Sequence, residues 1–192
     1  MNDTPSPRRA RHVLGLAGLI LASGLALALP GPARGSEPAG GPATIAAAAD
    51  LVAGHWQVEP KADVIVAASV EQTIAPMNAL FRMVARRKLL KRFPAPQTVA
   101  IERHGRYLEI LFSGDRAAPL PLSGEEIKVE DRSFQLRIED GHLCRFGTSP
   151  EGKRKIGFVL QQGPKRLIVE TIVTSPRLPR PLHYTLSYAP IP

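Results

Sequence analysis

The sequence is poor in residues that cross-link chains or bind metals. Its 192 residues include one cysteine, Cys144, so no intramolecular disulfide can form, and a lone thiol in a strand-like run is expected to be a small buried apolar group. Its histidines stand at no metal-ligand spacing from one another. We therefore expect neither a metal nor a cofactor. Aromatic residues make up only 5% of the chain, which predicts a mainly aliphatic interior with spare volume.

Recognisable catalytic patterns are also absent. The chain has no Gly-x-Ser-x-Gly elbow, no Ser-x-x-Lys box and no Gly-rich phosphate loop. Glu102 and His104 share one face of a predicted strand, and Glu109 can join them from the next strand, but charge pairing on a solvent face is the usual explanation for such residues. We assign no catalytic residue and expect the protein not to be an enzyme.

The N-terminus has the order of a secretory signal peptide. Arg8 and Arg9 precede an apolar run over 13–29, and small residues up to Gly35 suit cleavage before Ser36. A retained membrane anchor is the alternative, but glycines dilute the run. The arginine pair also raises the twin-arginine export route, although the residues after it fit the general secretory route better. We expect a periplasmic or secreted protein.

Charge and composition limit the partners and the domain organisation expected for the exported part of the chain. Without residues 1–35, the chain keeps 21 basic and 16 acidic residues, a net charge of +5. Nucleic acid is not an expected partner behind an export signal, whereas anionic membrane and cell-wall surfaces are. We expect a signal peptide over 1–35, a flexible Gly/Pro/Ala-rich linker over 36–50 and a single domain over 51–192.

The domain begins with a strand followed by helix. Trp56 and Val58 alternate with polar residues in a short first strand that Pro60 closes. Two helical runs come next, the first beginning at Asp63 and the second over 77–92, with Pro76 between them. They form either one kinked helix or a helix pair.

The rest of the domain is predicted to be strands joined by turns. Apolar and polar residues alternate most clearly over 134–139, and Asp140-Gly141 then supplies a tight hairpin turn. The runs cover 98–104, 107–113, 126–130, 134–139, 143–148, 155–161, 167–174 and 182–188. Strands joined by short turns pair as antiparallel neighbours, which favours an up-and-down meander barrel of about eight to ten strands. An open, bent sheet wrapped round the helix is the alternative.

The Gly54-x-Trp56 start, the helical insertion after it and the following meander resemble the calycin superfamily. Lipocalins share the Gly-x-Trp start, and fatty-acid-binding proteins place a helix pair between the first two strands. The resemblance implies a barrel that encloses a pocket for an apolar molecule. It also implies that Trp56 closes the barrel floor against a basic side chain near the last strand, here Arg177 or Arg180.

The helical run over 77–92 is the strongest functional feature of the domain. A cavity is predicted beneath its apolar residues, with inward aromatic side chains completing the ligand-binding set: Met77, Phe81, Val84, Phe112, Phe134 and Phe158. The same run carries cations suited to an anionic membrane or head group: Arg82, Arg86, Arg87, Lys88, Lys91 and Arg92.

Two functions fit this pattern. The first is a binding protein for a lipid or other apolar small molecule, with the helices at the entrance of the barrel. The alternative is a cell-envelope interaction module with a solid barrel, whose basic helix binds an anionic membrane or partner. Charge reversal over 86–88 is then expected to abolish binding to anionic vesicles.

Overall fold

The computed structural model describes residues 44–113 and 118–192. The predicted signal peptide and residues 36–43 of the predicted linker lie outside the described residues. None of the helices in these two ranges has the length and apolarity that a membrane crossing requires. The helices are α1 (Ile45–Val52), α2 (Ala62–Ile74) and α3 (Ala79–Arg92). The strands are β1 (Gly54–Val58), β2 (Thr98–His104), β3 (Tyr107–Phe112), β4 (Leu120–Pro121), β5 (Ile127–Val129), β6 (Arg132–Glu139), β7 (His142–Ser149), β8 (Gly152–Gln161), β9 (Arg166–Thr174) and β10 (Leu182–Pro190).

The strands form one antiparallel sheet that curls into a nearly closed barrel. Their order is β4-β3-β2-β1-β10-β9-β8-β7-β6-β5. The two ends of this order meet, because β4 lies beside β6 and Gln135 Nε2 donates a 2.7 Å hydrogen bond to the carbonyl of Gly124, just after β4. The predicted meander barrel is therefore confirmed, and the open bent sheet is not what forms.

The layout implied by the calycin resemblance is confirmed as well. α2 and α3 form a helix pair between β1 and β2, and α3 begins at an N-cap in which the Asn78 side chain accepts a 3.0 Å hydrogen bond from Phe81 N. The sequence analysis missed β4. Two residues, one of them Pro121, give no alternation to detect, and proline is confined to edge strands.

α1 corrects the predicted linker, since residues 45–50 are helical. Thr44 caps the helix by accepting a 3.2 Å hydrogen bond from Ala47 N, and alanine is the best helix former. α1 contacts β2, β6, β7 and β8, strands from both sides of the barrel, and therefore lies across one end of it. Its buried residues are Ala48, Ala49 and Val52.

Trp56 closes the barrel at the α1 end. Its indole is 1% exposed, and Nε1 donates a 3.1 Å hydrogen bond to the carbonyl of Val52 at the end of α1. The cation over the ring is Lys165 Nζ, 5.6 Å from the centroid. Arg177 and Arg180 lie in the connection between β9 and β10, at the opposite end of these strands. The implied pairing of Trp56 with one of these arginines is wrong, because the β8–β9 turn supplies the cation.

Two aromatic rings meet inside the barrel. Phe112 on β3 and Phe158 on β8 are buried, and their rings stack with centroids 6.5 Å apart. Arg154 lies on the same face of β8 as Ile156 and Phe158, where a mainly aliphatic interior was expected. The inward face of the barrel thus carries an aromatic pair and, nearer the β7–β8 turn, a cation.

Two titratable groups in the sheet are buried. Burial raises the pKa of the Cys144 thiol, which is 3% exposed, so the prediction of a small buried apolar group is confirmed. Burial also raises the pKa of Tyr188, whose hydroxyl donates a 3.2 Å hydrogen bond to the carbonyl of Pro96. Both groups are therefore neutral at physiological pH.

Candidate functional site

α3 stands against the barrel with little of its surface buried. All residues of α3 are among the described residues, and of these only Leu89 is buried. Arg82 Nη2 donates hydrogen bonds of 3.0 and 2.9 Å to the carbonyls of Ala75 and Met77, at the end of α2. Arg86 forms an ion pair with Glu71 of α2. These contacts fix α3 to α2 and leave a space between α3 and the sheet.

The first half of α3 exposes large apolar side chains. The exposed fractions are 67% for Leu80, 65% for Phe81, 62% for Met83 and 44% for Val84. Single exposed apolar residues are ordinary, but four within five positions form a patch of the kind that marks a binding surface. α3 therefore has an apolar face that no other part of the described protein covers.

Two adjoining cavities lie beneath α3, and we call them together the α3 cleft. The first has a volume of about 580 Å³ and is lined by Met77, Asn78, Phe81, Val84, Ala85, Lys88 and Arg177. The second has a volume of about 740 Å³. The two share Met77, Ala85, Lys88 and Arg177. The cleft therefore runs from the exposed start of α3 toward its C-terminal end.

The second cavity lies between α3 and the mouth of the barrel, the end formed by the β7–β8 turn and the β9–β10 connection. Its apolar lining consists of Met77, Ala85, Leu89, Phe93, Phe134, Val173 and Leu178. Its basic lining consists of Lys88, Arg92, Arg132, Lys153, Arg154 and Arg177. The one acid among these described lining residues is Glu151. The cleft thus combines an apolar surface with a strong excess of positive charge.

The positive charge of the cleft is only partly neutralised. Arg92 forms an ion pair with Glu151, and this contact lowers the pKa of the Glu151 carboxyl, with smaller contributions from Arg177 and Arg132. The Arg154 guanidinium lies 5.8 Å from the centre of the Phe93 ring, and its buried Nε has no hydrogen-bond partner among the described residues. The arrangement therefore favours an anionic group beside the apolar lining.

The structure separates the predicted ligand-binding residues into two sets. Met77, Phe81, Val84 and Phe134 line the α3 cleft, and the predicted cavity beneath α3 is present. Phe112 and Phe158 do not reach it, because they form the stacked pair inside the barrel.

The predicted basic residues also divide. Lys88 and Arg92 line the cleft. Arg82 and Arg86 are held by α2, and the ion pair raises the pKa of Arg86 and lowers that of Glu71. Arg87 and Lys91 are exposed. Charge reversal over 86–88 therefore changes a helix contact and a cleft residue as well as an exposed cation.

Other cleft residues were missed by the sequence analysis, and Arg177 was expected in another role. The missed residues are Arg132, Glu151, Lys153 and Arg154. Arg154 carried a signal, since it falls on the inward face of β8 by simple alternation with Ile156. The others lie at strand ends and in turns, where the alternation of residues does not predict which way a side chain points.

The acidic and histidine residues considered for catalysis lie on the outer face of β1, β2 and β3. His55 Nε2 and His104 Nε2 lie 3.4 and 3.3 Å from the Glu102 carboxylate, and His104 Nε2 lies 3.6 Å from Glu109. All four side chains are at least 30% exposed. They therefore lie at the solvent-exposed surface of the sheet and do not line the α3 cleft. Within residues 44–113 and 118–192, no group of three or more potential ligands is placed to hold a metal ion.

Comparisons with known proteins give likeness in fold only. No protein-family model and no curated protein matches the sequence. Among solved structures, a secretary abundant heat soluble protein from Ramazzottius varieornatus is 10% identical, with 73% of this chain and 96% of that chain covered and a TM-score of 0.44. A mutant of the fluorescent protein UnaG is 11% identical, with 74% of this chain and 98% of that chain covered and a TM-score of 0.43.

Proposed function

We propose that this protein is an exported, non-enzymatic binding protein for a lipid or another largely apolar small molecule that carries an anionic group. The α3 cleft is the binding site. One observation carries the proposal: the second cavity of the α3 cleft, about 740 Å³ in volume, combines an apolar lining with six basic side chains and one acidic side chain. Export follows from the signal-peptide pattern of the sequence.

The size and chemistry of the cleft support this function. Ligand sites for small molecules usually measure 300–1,000 Å³ and combine an apolar lining with a few polar groups that fix orientation. Here Leu89, Phe93 and Phe134 offer apolar contact, while Arg92 and Arg177 stand at the exposed rim. An amphipathic ligand can place its apolar part beneath α3 and its charged end at the rim.

Binding in the cleft is tested by filling it. Ala85 lines both cavities from α3, so Ala85→Trp is expected to occupy ligand volume. With the purified protein and 1-anilinonaphthalene-8-sulfonate as an anionic apolar probe, we expect stoichiometric binding that Ala85→Trp weakens at least about tenfold, the effect of losing roughly 1.4 kcal/mol. The measurement is a fluorescence titration.

Ala68→Trp is the matched control, because Ala68 is exposed on α2 and lines neither cavity. It is expected to leave the dissociation constant unchanged. Equal weakening by both variants, or no saturable binding by the unmodified protein, would contradict a site in the α3 cleft. Circular dichroism of each variant checks that the fold is intact.

A second candidate function is contact with an anionic membrane through α3. It is favoured by the exposed apolar patch of Leu80, Phe81 and Met83, which lies on the same helix as the exposed cations Arg87 and Lys91. Amphipathic helices of this kind insert their apolar side chains between lipid head groups, and each basic residue near the surface contributes about 1 kcal/mol.

Vesicle sedimentation tests this candidate. The double variant Arg87→Glu, Lys91→Glu is expected to weaken binding to phosphatidylglycerol vesicles by roughly 30-fold or more, since two such contributions are lost. Arg106→Glu, Lys128→Glu changes the net charge equally at exposed positions outside α3 and is expected to have a much smaller effect. Equal losses in both variants would show nonspecific charge attraction instead.

A further inference from the structure

Three arginines from separate parts of the chain converge on one carboxylate at the rim of the α3 cleft. Arg92 ends α3, Arg132 begins β6, and Arg177 lies in the β9–β10 connection. All three line the second cavity together with Glu151, in the β7–β8 turn. Arg92 contacts Glu151 directly, and Arg132 and Arg177 are near enough to hold its pKa down. These elements meet only in the folded barrel.

Glu151 neutralises only part of the positive charge of this cluster. Its side chain is 49% exposed, and that of Arg92 is 53% exposed. Arg132 has one further acidic neighbour, Asp131, at 3.8 Å and also exposed. Lys88 and Lys153 line the same cavity and form no ion pair with any described residue. A single carboxylate therefore faces more positive charge than it can neutralise.

We propose that the Arg92, Arg132 and Arg177 cluster is the head-group site for a phosphate monoester on an amphipathic ligand, and that Glu151 is a built-in competing anion which the phosphate displaces. The inference rests on the proposed function, because it names the anionic group of the ligand bound in the α3 cleft.

A phosphate monoester fits the cluster better than a carboxylate does. It carries a charge of about −1.5 to −2 at neutral pH and three strong acceptor oxygens. Guanidinium groups bind such oxygens in pairs through two parallel N–H donors, and arginine remains charged at any physiological pH. A carboxylate ligand offers one charge, which Glu151 already supplies to Arg92.

Three probes separate these possibilities by isothermal titration calorimetry below their micelle concentrations. They are dodecyl phosphate, dodecanoate with the same alkyl length, and inorganic phosphate. The unmodified protein is expected to bind dodecyl phosphate at least about tenfold more tightly than either of the others, since it alone combines the alkyl chain with the phosphate.

The direction of the Glu151→Gln effect is the sharper test. Removing the competing charge is expected to tighten dodecyl phosphate binding by roughly fivefold, the size of one charge–charge interaction near 4 Å in water. Arg132→Gln is expected to weaken it. Glu126→Gln removes another exposed carboxylate, one that does not line the cleft, and is expected to leave the affinity for dodecyl phosphate unchanged.

The outcomes distinguish this inference from the proposed function. Equal affinity for dodecyl phosphate and dodecanoate, or no gain in Glu151→Gln, would overturn the phosphate site and leave a cleft that binds amphiphiles. Inorganic phosphate binding as tightly as dodecyl phosphate would support the arginine site but identify free phosphate, not a lipid head group, as its source. No binding of any probe would overturn both.

Discussion

Replacing Trp56 by alanine is expected to lower the free energy of unfolding by about 3–5 kcal/mol, the usual cost of removing a large buried aromatic side chain. Trp56 is 1% exposed and lies in β1, close after the C-terminal end of α1. The substitution leaves a cavity, and it also removes the donor that Nε1 provides to the carbonyl of Val52. Urea denaturation followed by circular dichroism measures the change.

Trp56→Phe separates packing from hydrogen bonding at this position. Phenylalanine retains most of the buried aromatic volume but donates nothing to the carbonyl of Val52, so we expect a smaller loss, about 1–3 kcal/mol. If Trp56→Ala and Trp56→Phe cost the same, the hydrogen bond and not the packing would be what attaches α1 to the barrel. A loss below about 1 kcal/mol in Trp56→Ala would contradict the closing role of the indole.

Replacing Gly152 by alanine is expected to cost about 3 kcal/mol or more. The residue has a φ of +148°, a conformation almost restricted to glycine, and an added Cβ would lie 2.1 Å from the carbonyl oxygen of Thr174. That oxygen belongs to the backbone of β9. The steric clash can therefore be relieved only if β8 and β9 move apart. Urea denaturation again gives the magnitude.

Gly105→Ala is the matched control for this effect. Gly105 has a φ of +61°, but nothing lies within 4 Å of the position of an added Cβ. Only the left-handed conformation is then penalised, by about 1 kcal/mol. Similar losses at the two positions would show that φ alone matters and that the approach of Thr174 is relieved cheaply.

The Gly152 substitution also bears on the α3 cleft. Gly152 lines the cleft beside Glu151, and Ser175 lies on the other side of the close approach. Moving the β7–β8 turn away from β9 would shift Glu151 relative to Arg177, which follows β9. Ligand affinity in a folded Gly152→Ala protein is therefore expected to change together with stability, whereas Gly105→Ala affects stability alone.

The sequence by itself determined most of the elements of this fold, although not α1 or β4. Alternation of apolar and polar residues located β6, and the turn residues Asp140 and Gly141 do adopt positive φ, at 51° and 75°. Such signals are local, because the chain geometry of a strand or a tight turn depends on residues next to one another. The same local periodicity predicted a cavity beneath Met77 and Phe81, on the apolar side of one helical run.

Only the tertiary structure decided how those elements meet. An alanine-rich segment is compatible with a linker and with a helix, and burial of α1 across the barrel end makes it a helix. Phe112 and Phe158 face inward by alternation, yet whether they line a pocket or stack on each other depends on the distance across the barrel. Arg92, Arg132 and Arg177 are far apart in sequence. Pairing of β6 to β9 as neighbours in the sheet, together with the position of α3 over the second cavity, brings them to one carboxylate. Convergence of charge depends on position in space and not on spacing along the chain.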